Sequence, residues 1–228
     1  MEARASGMSE ANGTFTIDIV SDVVCPWCYL GEKRLETALA EEPQPLTVRW
    51  RPYQLDPTIP EGGVDRAEYM EKKFGKSGRL QTVHDNLVRL GAEVGLSFAF
   101  DRIKRAPNTL DAHRVIRWSA ATGAQGKVVD RLFRAYFIEG RDIGERSVLV
   151  EIASECGLDA AIVDKLLAEG ADVDTVRQEI AEAQELGISG VPFFIFADRL
   201  AVAGAQDVSV LRRAIAQARE AMREAPAA

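Results

Sequence analysis

The stretch Cys25-Pro26-Trp27-Cys28 decides the fold of this chain. Just upstream, residues 14–20 alternate apolar and mostly polar side chains, which predicts a β-strand. Just downstream, apolar residues recur at helical spacing from 27 to 39. Pro26 takes the first helical position, where its fixed φ and missing N–H cost least. The pattern therefore predicts a strand that leads into a helix, with the cysteine pair at the start of the helix.

The two cysteines are predicted to differ in reactivity. Cys25 lies at the positive end of the helix, where free backbone N–H groups point towards its sulfur. That position favours the thiolate, so we expect Cys25 to be the nucleophile. Cys28 lies one helical turn further on, where it can resolve a mixed disulfide formed by Cys25.

Two other uses of a C-x-x-C pair are less well supported. A zinc site would need two further ligands at a matching spacing, and the chain offers only Cys156, His84 and His113, which are isolated in the sequence. We therefore expect no metal. A purely structural disulfide across two residues would constrain almost nothing that the helix does not already fix. The C-x-x-C pair therefore indicates redox chemistry.

Composition limits the other classes of function. The chain has 228 residues, of which 46% are hydrophobic, so it can form one core, or one core with an inserted subdomain. A formal net charge of −7 argues against nucleic acid or an anionic membrane as a partner. No apolar run reaches membrane-spanning length. Residues 1–13 have no apolar h-region, so we expect a flexible lead-in and a cytoplasmic protein.

The order of predicted elements indicates an α/β fold with a divided sheet. Residues 46–50 alternate as a second strand, so the first strand, helix and second strand form a βαβ unit with parallel strands. Residues 61–187 are predicted to be almost entirely helical, and Asn108 is a candidate N-cap. A hairpin is predicted at 193–203, with a turn at 197–199, and Asp207 caps a final helix.

The loop Gly190-Val191-Pro192 enters this hairpin. Proline directly before an apolar strand suits a strand start or a tight turn, because it cannot donate to a central ladder. The Val191–Pro192 bond can be trans or cis. From the residues alone cis is the minority reading, since only about one X–Pro bond in twenty is cis in folded proteins.

Several of these segments resemble the DsbA-like thioredoxin-fold oxidoreductases, and within them the cytoplasmic, FrnE-like branch. Cys25 to Gly31 (C-P-W-C-Y-L-G) resembles the family's active-site segment, and Gly190 to Phe194 (G-V-P-F-F) resembles its cis-proline segment. Similar matches occur at Gly204 to Gln206 (G-A-Q) and, in the helical block, at Asn108-Thr109 and at Ala112 to Arg114. Together they span most of residues 14–222 in the family's order.

The resemblance implies an α/β architecture in which a thioredoxin fold is interrupted by an inserted α-helical domain. The thioredoxin-like core would comprise residues 14–52 and 188–222, and the helical domain residues 53–187, with flexible tails at 1–13 and 223–228. It also implies a cis bond at Pro192, with the proline loop packed against the cysteine pair. Supporting roles at the active site would fall to Pro26, Trp27, Val191 and Pro192.

The implied function is that of a protein thiol–disulfide oxidoreductase or isomerase. It would need no bound cofactor, and glutathione or thioredoxin could recycle the pair. The same superfamily contains kappa-class glutathione transferases and hydroxychromene-carboxylate isomerases, which typically carry serine at the first active-site position. A glutathione-dependent isomerase or transferase acting on a small aromatic or polyketide-like molecule is therefore the alternative. A non-catalytic binding module is the third reading.

Three residues of the helical block are candidates for substrate binding: Asn108, Thr109 and His113. Asn108 and Thr109 resemble the neighbourhood of the glutathione site in those relatives. His113 follows Thr109 by four residues, so both could face the same cleft, although a helix histidine is more often satisfied inside the core than catalytic. Asp22 could relay protons to Cys28 or cap the turn that precedes Cys25.

Overall fold

A computed structural model describes residues 15–224 of the protein. In chain order its strands and helices are β1 (Phe15–Ser21), α1 (Pro26–Leu39), β2 (Leu46–Pro52), β3 (Val64–Asp65), α2 (Arg66–Phe74), α3 (Arg79–Ala92), β4 (Arg105–Ala106), α4 (Leu110–Ser119), α5 (Gln125–Arg134), α6 (Arg146–Glu155), α7 (Ala160–Ala168), α8 (Val173–Glu185), β5 (Phe193–Phe196), β6 (Leu200–Ala203) and α9 (Val208–Glu224).

The main sheet has the strand order β2-β1-β5-β6. β1 pairs in parallel with β2, from Phe15 opposite Leu46 onwards. The other edge of β1 pairs antiparallel with β5, and β5 forms a hairpin with β6. Strands from the two ends of the sequence therefore share one sheet, with β1 between them. The predicted α/β class, with a thioredoxin fold and a helical insertion, is confirmed.

The helical block packs directly onto the active-site helix. A single apolar core includes β1, α1, α4, α5, α6, β5 and α9. At its centre the ring of Tyr29, on α1, stacks on Phe133 of α5, with 4.9 Å between the ring centroids. Because aromatic side chains bury large areas, this contact fixes the helical block against α1. Helix α1, which begins with the cysteine pair, is therefore packed against the helical block.

The structure corrects three details of the sequence analysis. The pair β3–β4, with Val64 opposite Ala106, was predicted to be helical or loop. The N-cap of α4 is Thr109 and not Asn108, although the Asn108 side chain accepts a hydrogen bond from the N–H of Leu110. Helix α9 continues to Glu224, so residues 223 and 224, which were predicted to belong to a flexible tail, are helical. The predicted tail at 1–13 lies outside the described residues, as do 225–228.

The hairpin and the last helix follow their predictions. The turn between β5 and β6 has positive φ at Ala197 and Asp198, and the N–H of Arg199 donates to the carbonyl of Phe196. The Asp207 carboxylate accepts a hydrogen bond from the N–H of Ser209 in the first turn of α9. Among the helices of residues 15–224, none combines the length and the apolar character needed to cross a bilayer.

Candidate active site

The cysteine pair begins α1 as the sequence predicts. Cys25 is the N-cap, with extended backbone angles, and Pro26 is the first helical residue. A tight turn precedes the helix, in which the N–H of Cys25 donates to the carbonyl of Asp22 over 3.0 Å. No side chain caps the helix. Both cysteines are free thiols in the structure. The N-terminal dipole of α1 therefore acts on the Cys25 sulfur without a competing side-chain acceptor.

The proline loop lies against Cys25. The Val191–Pro192 peptide bond is cis, as the resemblance implied. The Cys25 thiol donates to the Val191 carbonyl oxygen, with 3.7 Å between sulfur and oxygen. The Pro192 carbonyl in turn accepts a hydrogen bond from the N–H of Gly204. The structure therefore brings together Cys25 and the backbone of the proline loop. Trp27, between the cysteines, is half-buried and packs against the core.

Cys28 lies beneath this surface and is almost completely buried. Burial is the main reason that the pKa of its thiol lies well above the usual value, and the neighbouring Cys25 raises it further. The Ser21 hydroxyl and the N–H of Asp22 partly oppose these effects. Because a thiol with a raised pKa stays protonated at neutral pH, Cys28 has little reactivity towards solvent.

Asn108 and His113 join α4 to the chain segment that follows β2. His113 Nε2 lies 2.9 Å from the carbonyl oxygen of Tyr53. The Asn108 amide donates to the carbonyl of Ile59, and its oxygen accepts from the Gln54 side chain. The Asn108 amide and His113 Nε2 thus have hydrogen-bond partners within the protein. No described contact joins them to either cysteine, so substrate binding by these residues stays a prediction.

Thr109 and Asp22 are buried in the same region. Thr109 Oγ1 lies 3.5 Å from the Gln54 amide nitrogen. One Asp22 carboxylate oxygen accepts from the N–H of Leu55 at 2.8 Å, and the other lies 3.7 Å from His113 Nε2. Asp22 therefore fixes the segment after β2 to the turn that carries Cys25. This linking role was not predicted from the sequence.

Next to this region is a groove of about 520 Å³, which includes Leu55, Asp56, Tyr69 and Lys73 on its walls. Those four residues also line a smaller recess of about 50 Å³ that reaches Asp22 and Val24, the residue before Cys25. Burial and the neighbouring Asp56 raise the pKa of Tyr69 to about 12, so its hydroxyl stays protonated and can donate a hydrogen bond.

Arg66 forms part of the wall of this recess and is only 7% exposed. Within residues 15–224, no carboxylate lies within 4.0 Å of its guanidinium group. A buried cation without a paired carboxylate is costly, and such groups concentrate at binding sites. The sequence analysis did not identify Arg66, because an arginine at the start of a helix has no local sign that it will be buried.

Comparisons with known proteins identify the family and several relatives of this chain. The profile of the DSBA-like thioredoxin domain matches residues 16–216. A probable DsbA oxidoreductase from Streptomyces coelicolor is 33% identical and superimposes with a TM-score of 0.85, over 94% of this chain and 93% of that chain. The uncharacterized protein YwbO of Bacillus subtilis is 29% identical over 203 residues, which cover 89% of this chain and 96% of YwbO.

A third relative is the cytosolic disulfide reductase DsbM of Pseudomonas aeruginosa, whose structure was solved with GSH. It is 25% identical, with a TM-score of 0.58 over 91% of this chain and 97% of DsbM. The family profile covers most of the chain. The chain belongs to the family of DsbA-like thioredoxin domains.

Proposed function

We propose that the protein is a thiol–disulfide oxidoreductase or isomerase that uses Cys25 as nucleophile and Cys28 as resolving thiol. The observation that carries this proposal is the asymmetry of the pair. Both thiols are buried, but Cys25 lies at a helix N-terminus beside the Val191 carbonyl, whereas Cys28 lies one turn further along the helix and has a raised pKa. This arrangement provides one thiol that attacks the substrate disulfide and a second that attacks the resulting mixed disulfide.

The reaction proceeds in two exchange steps. The Cys25 thiolate attacks a substrate disulfide, forms a bond to one substrate sulfur and releases the other as a thiolate, which takes up a proton. Cys28 then loses its proton and attacks Cys25, so that the mixed disulfide breaks and the second substrate sulfur leaves as a thiol. The substrate gains two electrons, and the Cys25–Cys28 pair becomes the oxidised partner. Isomerisation uses the first step and its reversal.

We place the protein in the cytoplasm, in the FrnE-like branch, where reduction or isomerisation is more useful than net oxidation. Glutathione or thioredoxin would return the pair to its reduced form, and no bound cofactor takes part. Two observations support a small acidic thiol such as glutathione: the buried Arg66 lacks a carboxylate partner in a recess that reaches Val24, and the related DsbM was crystallised with GSH. Pro26, Trp27, Val191 and Pro192 would shape the surface around Cys25.

The decisive experiment is the capture of mixed disulfides on Cys25. A Cys28→Ala variant should accumulate disulfide-linked substrates that dithiothreitol releases, and a Cys25→Ala variant should not. The wild-type protein should also reduce insulin with glutathione as the electron source. If the wild type binds glutathione tightly but does not reduce insulin, the isomerase or transferase alternative replaces this proposal. If a Cys25→Ser, Cys28→Ser protein retains full function, the chain is a binding module.

The role of Arg66 can be tested with two disulfides that differ in charge. Oxidised glutathione carries carboxylates, whereas bis(2-hydroxyethyl) disulfide does not. An Arg66→Gln variant should raise KM for oxidised glutathione about tenfold, because a charge-assisted hydrogen bond is lost, and leave the neutral disulfide unaffected. The exposed Arg79→Gln is the matched control. An equal loss with both substrates would show that Arg66 has only a structural role.

A further inference from the structure

Ser21 is a buried polar residue that has no role in the site described above. It is the last residue of β1 and is 3% exposed. Because side chains alternate along a strand, Ser21 shares its face with Ile17 and Ile19, which belong to the core that contains Cys28. A serine in this position replaces the apolar side chain that the strand pattern calls for.

The hydroxyl of Ser21 is not satisfied by the rest of the protein. Its Oγ is completely buried and makes no hydrogen bond of good geometry within residues 15–224. A buried hydroxyl without a partner destabilises the fold. Ser21 is near enough to Cys28 for its hydroxyl to lower the pKa of the Cys28 thiol, against the larger effect of burial. A thiol is a weak hydrogen-bond acceptor, whereas a thiolate is a strong one. The unused hydroxyl donor of Ser21 therefore suits Cys28 as a thiolate, the form that Cys28 takes only during the reaction.

We propose that Ser21 is a catalytic residue for the resolving step, in which its hydroxyl donates a hydrogen bond to the Cys28 thiolate. The inference rests on the proposed function and adds the group that activates the buried thiol. In this step Cys28 releases its proton to water, and its thiolate attacks the Cys25 sulfur. The Cys25–Cys28 bond forms, the bond from Cys25 to the substrate sulfur breaks, and that sulfur leaves with the electron pair and takes up a proton. A donor already in place stabilises the thiolate without reorganisation.

An open cavity lies beside Ser21. Ser21 and His113 both line a cavity of about 500 Å³ that opens between β2 and the helices α4 and α5. The ionisable groups on the elements around Cys28 are Cys25, Asp22 on the preceding turn, His113 on α4 and Glu32 one turn further along α1.

The two exchange steps can be separated with 5,5′-dithiobis(2-nitrobenzoate). One equivalent of this aromatic disulfide reacts with Cys25 and releases a first coloured thiolate, and the attack of Cys28 on the mixed disulfide releases a second. In a Cys156→Ser background, Ser21→Ala should leave the first phase unchanged and slow the second about tenfold. The pH midpoint of the second phase should also move upwards. Ser119→Ala removes another buried hydroxyl, bonded to the Ile116 carbonyl, and should change neither phase.

Ser21→Thr and Ser21→Val form an isosteric pair that differs only in the hydroxyl. The threonine variant should retain the fast second phase and the valine variant should not, which keeps the test valid if Ser21→Ala unfolds. Equal second phases in Thr and Val, or an equal slowing of both phases in Ser21→Ala, would overturn the role of Ser21. A wild-type protein that releases only the first thiolate would instead overturn the proposed redox pair itself.

Discussion

Gly31 of α1 packs directly against Pro192: a methyl group built on the Gly31 Cα would lie 3.0 Å from Pro192 Cγ and 3.2 Å from Phe194 Cζ. Both distances are shorter than ordinary van der Waals contacts. The absence of a side chain at Gly31 therefore lets the active-site helix approach the proline loop closely enough for Cys25 to contact the Val191 carbonyl. The separation between α1 and this loop is set by one residue in the second turn of the helix.

Replacement of Gly31 by alanine should separate the helix from the loop. Overpacking costs about 1–3 kcal/mol, which exceeds the gain of roughly 1 kcal/mol that alanine brings to a helix interior. We expect a lower free energy of unfolding in urea and slower insulin reduction. Gly126→Ala in α5 is the control, since a methyl group there meets nothing within 4 Å and should stabilise the protein. Equal stability changes in the two variants would contradict the packing argument.

Alkylation should distinguish the two active-site thiols. In a Cys156→Ser background, iodoacetamide should modify Cys25 much faster than Cys28 at pH 7, because burial raises the pKa of Cys28 and restricts access to its sulfur. Peptide mass spectrometry after short labelling times measures both rates. Labelling of Cys28 before Cys25 would reverse the proposed roles.

The side chain of Trp27 should tune the reduction potential of the pair. We expect the native potential to lie between about −270 mV, the value of thioredoxin, and about −120 mV, the value of DsbA. A Trp27→His variant places a partly cationic ring next to Cys25, which stabilises the thiolate and hence the reduced form. The potential should rise by tens of millivolts, where about 30 mV corresponds to 1.4 kcal/mol.

Equilibration with glutathione redox buffers measures this change, and the neutral Trp27→Phe variant is the control. A downward shift in the histidine variant, or the same shift in both variants, would show that charge at position 27 does not act on Cys25.

Glu32 should make the stability of the protein depend on pH. Its carboxyl group is 5% exposed, one side-chain oxygen has no partner within residues 15–224, and burial raises its pKa well above 4.5. Above pH 4.5 the unfolded chain releases this proton, whereas the folded protein retains it, so stability falls as pH rises towards the folded pKa. Each unit of raised pKa corresponds to about 1.4 kcal/mol.

A Glu32→Gln variant should therefore be more stable than wild type at pH 7 and equally stable near pH 4. Urea unfolding at the two pH values gives the comparison. Glu36→Gln, an exposed residue on the same helix, should show little change at either pH. A Glu32→Gln protein that is less stable at pH 7 would mean that the carboxylate is ionised and paired in the fold.

The parts of the fold that could be predicted are those with a local signal. The alternation in β1 and β2, the proline at the start of α1 and the turn before β6 each depend on residues that are close in sequence. The two-residue strands β3 and β4 are too short to show any periodicity. The predicted N-cap of α4 was wrong by one residue. The Asn108 side chain also forms hydrogen bonds with Ile59 and Gln54, which no local pattern reveals.

In the active site, too, some residues could be predicted from a local signal and others could not. The reactive pair and the proline loop could be identified from the sequence, since their residue types carry the chemistry. Arg66, Ser21 and the contact between Asp22 and Leu55 could not, because each depends on burial or on contacts between segments that are distant in the chain. Polar residues of this kind look like ordinary surface residues until the tertiary structure covers them.

The position of β1 in the sheet also determines when the active site can form during synthesis. β1 and β2 can pair as soon as the chain up to Pro52 has left the ribosome, but the second edge of β1 stays open until β5 arrives. The Val191 carbonyl follows Cys25 by 166 residues. A nascent chain therefore carries both thiols through most of translation before the surface that receives a substrate exists. Small oxidants and other thiols in the cell meet the pair before any protein substrate can dock.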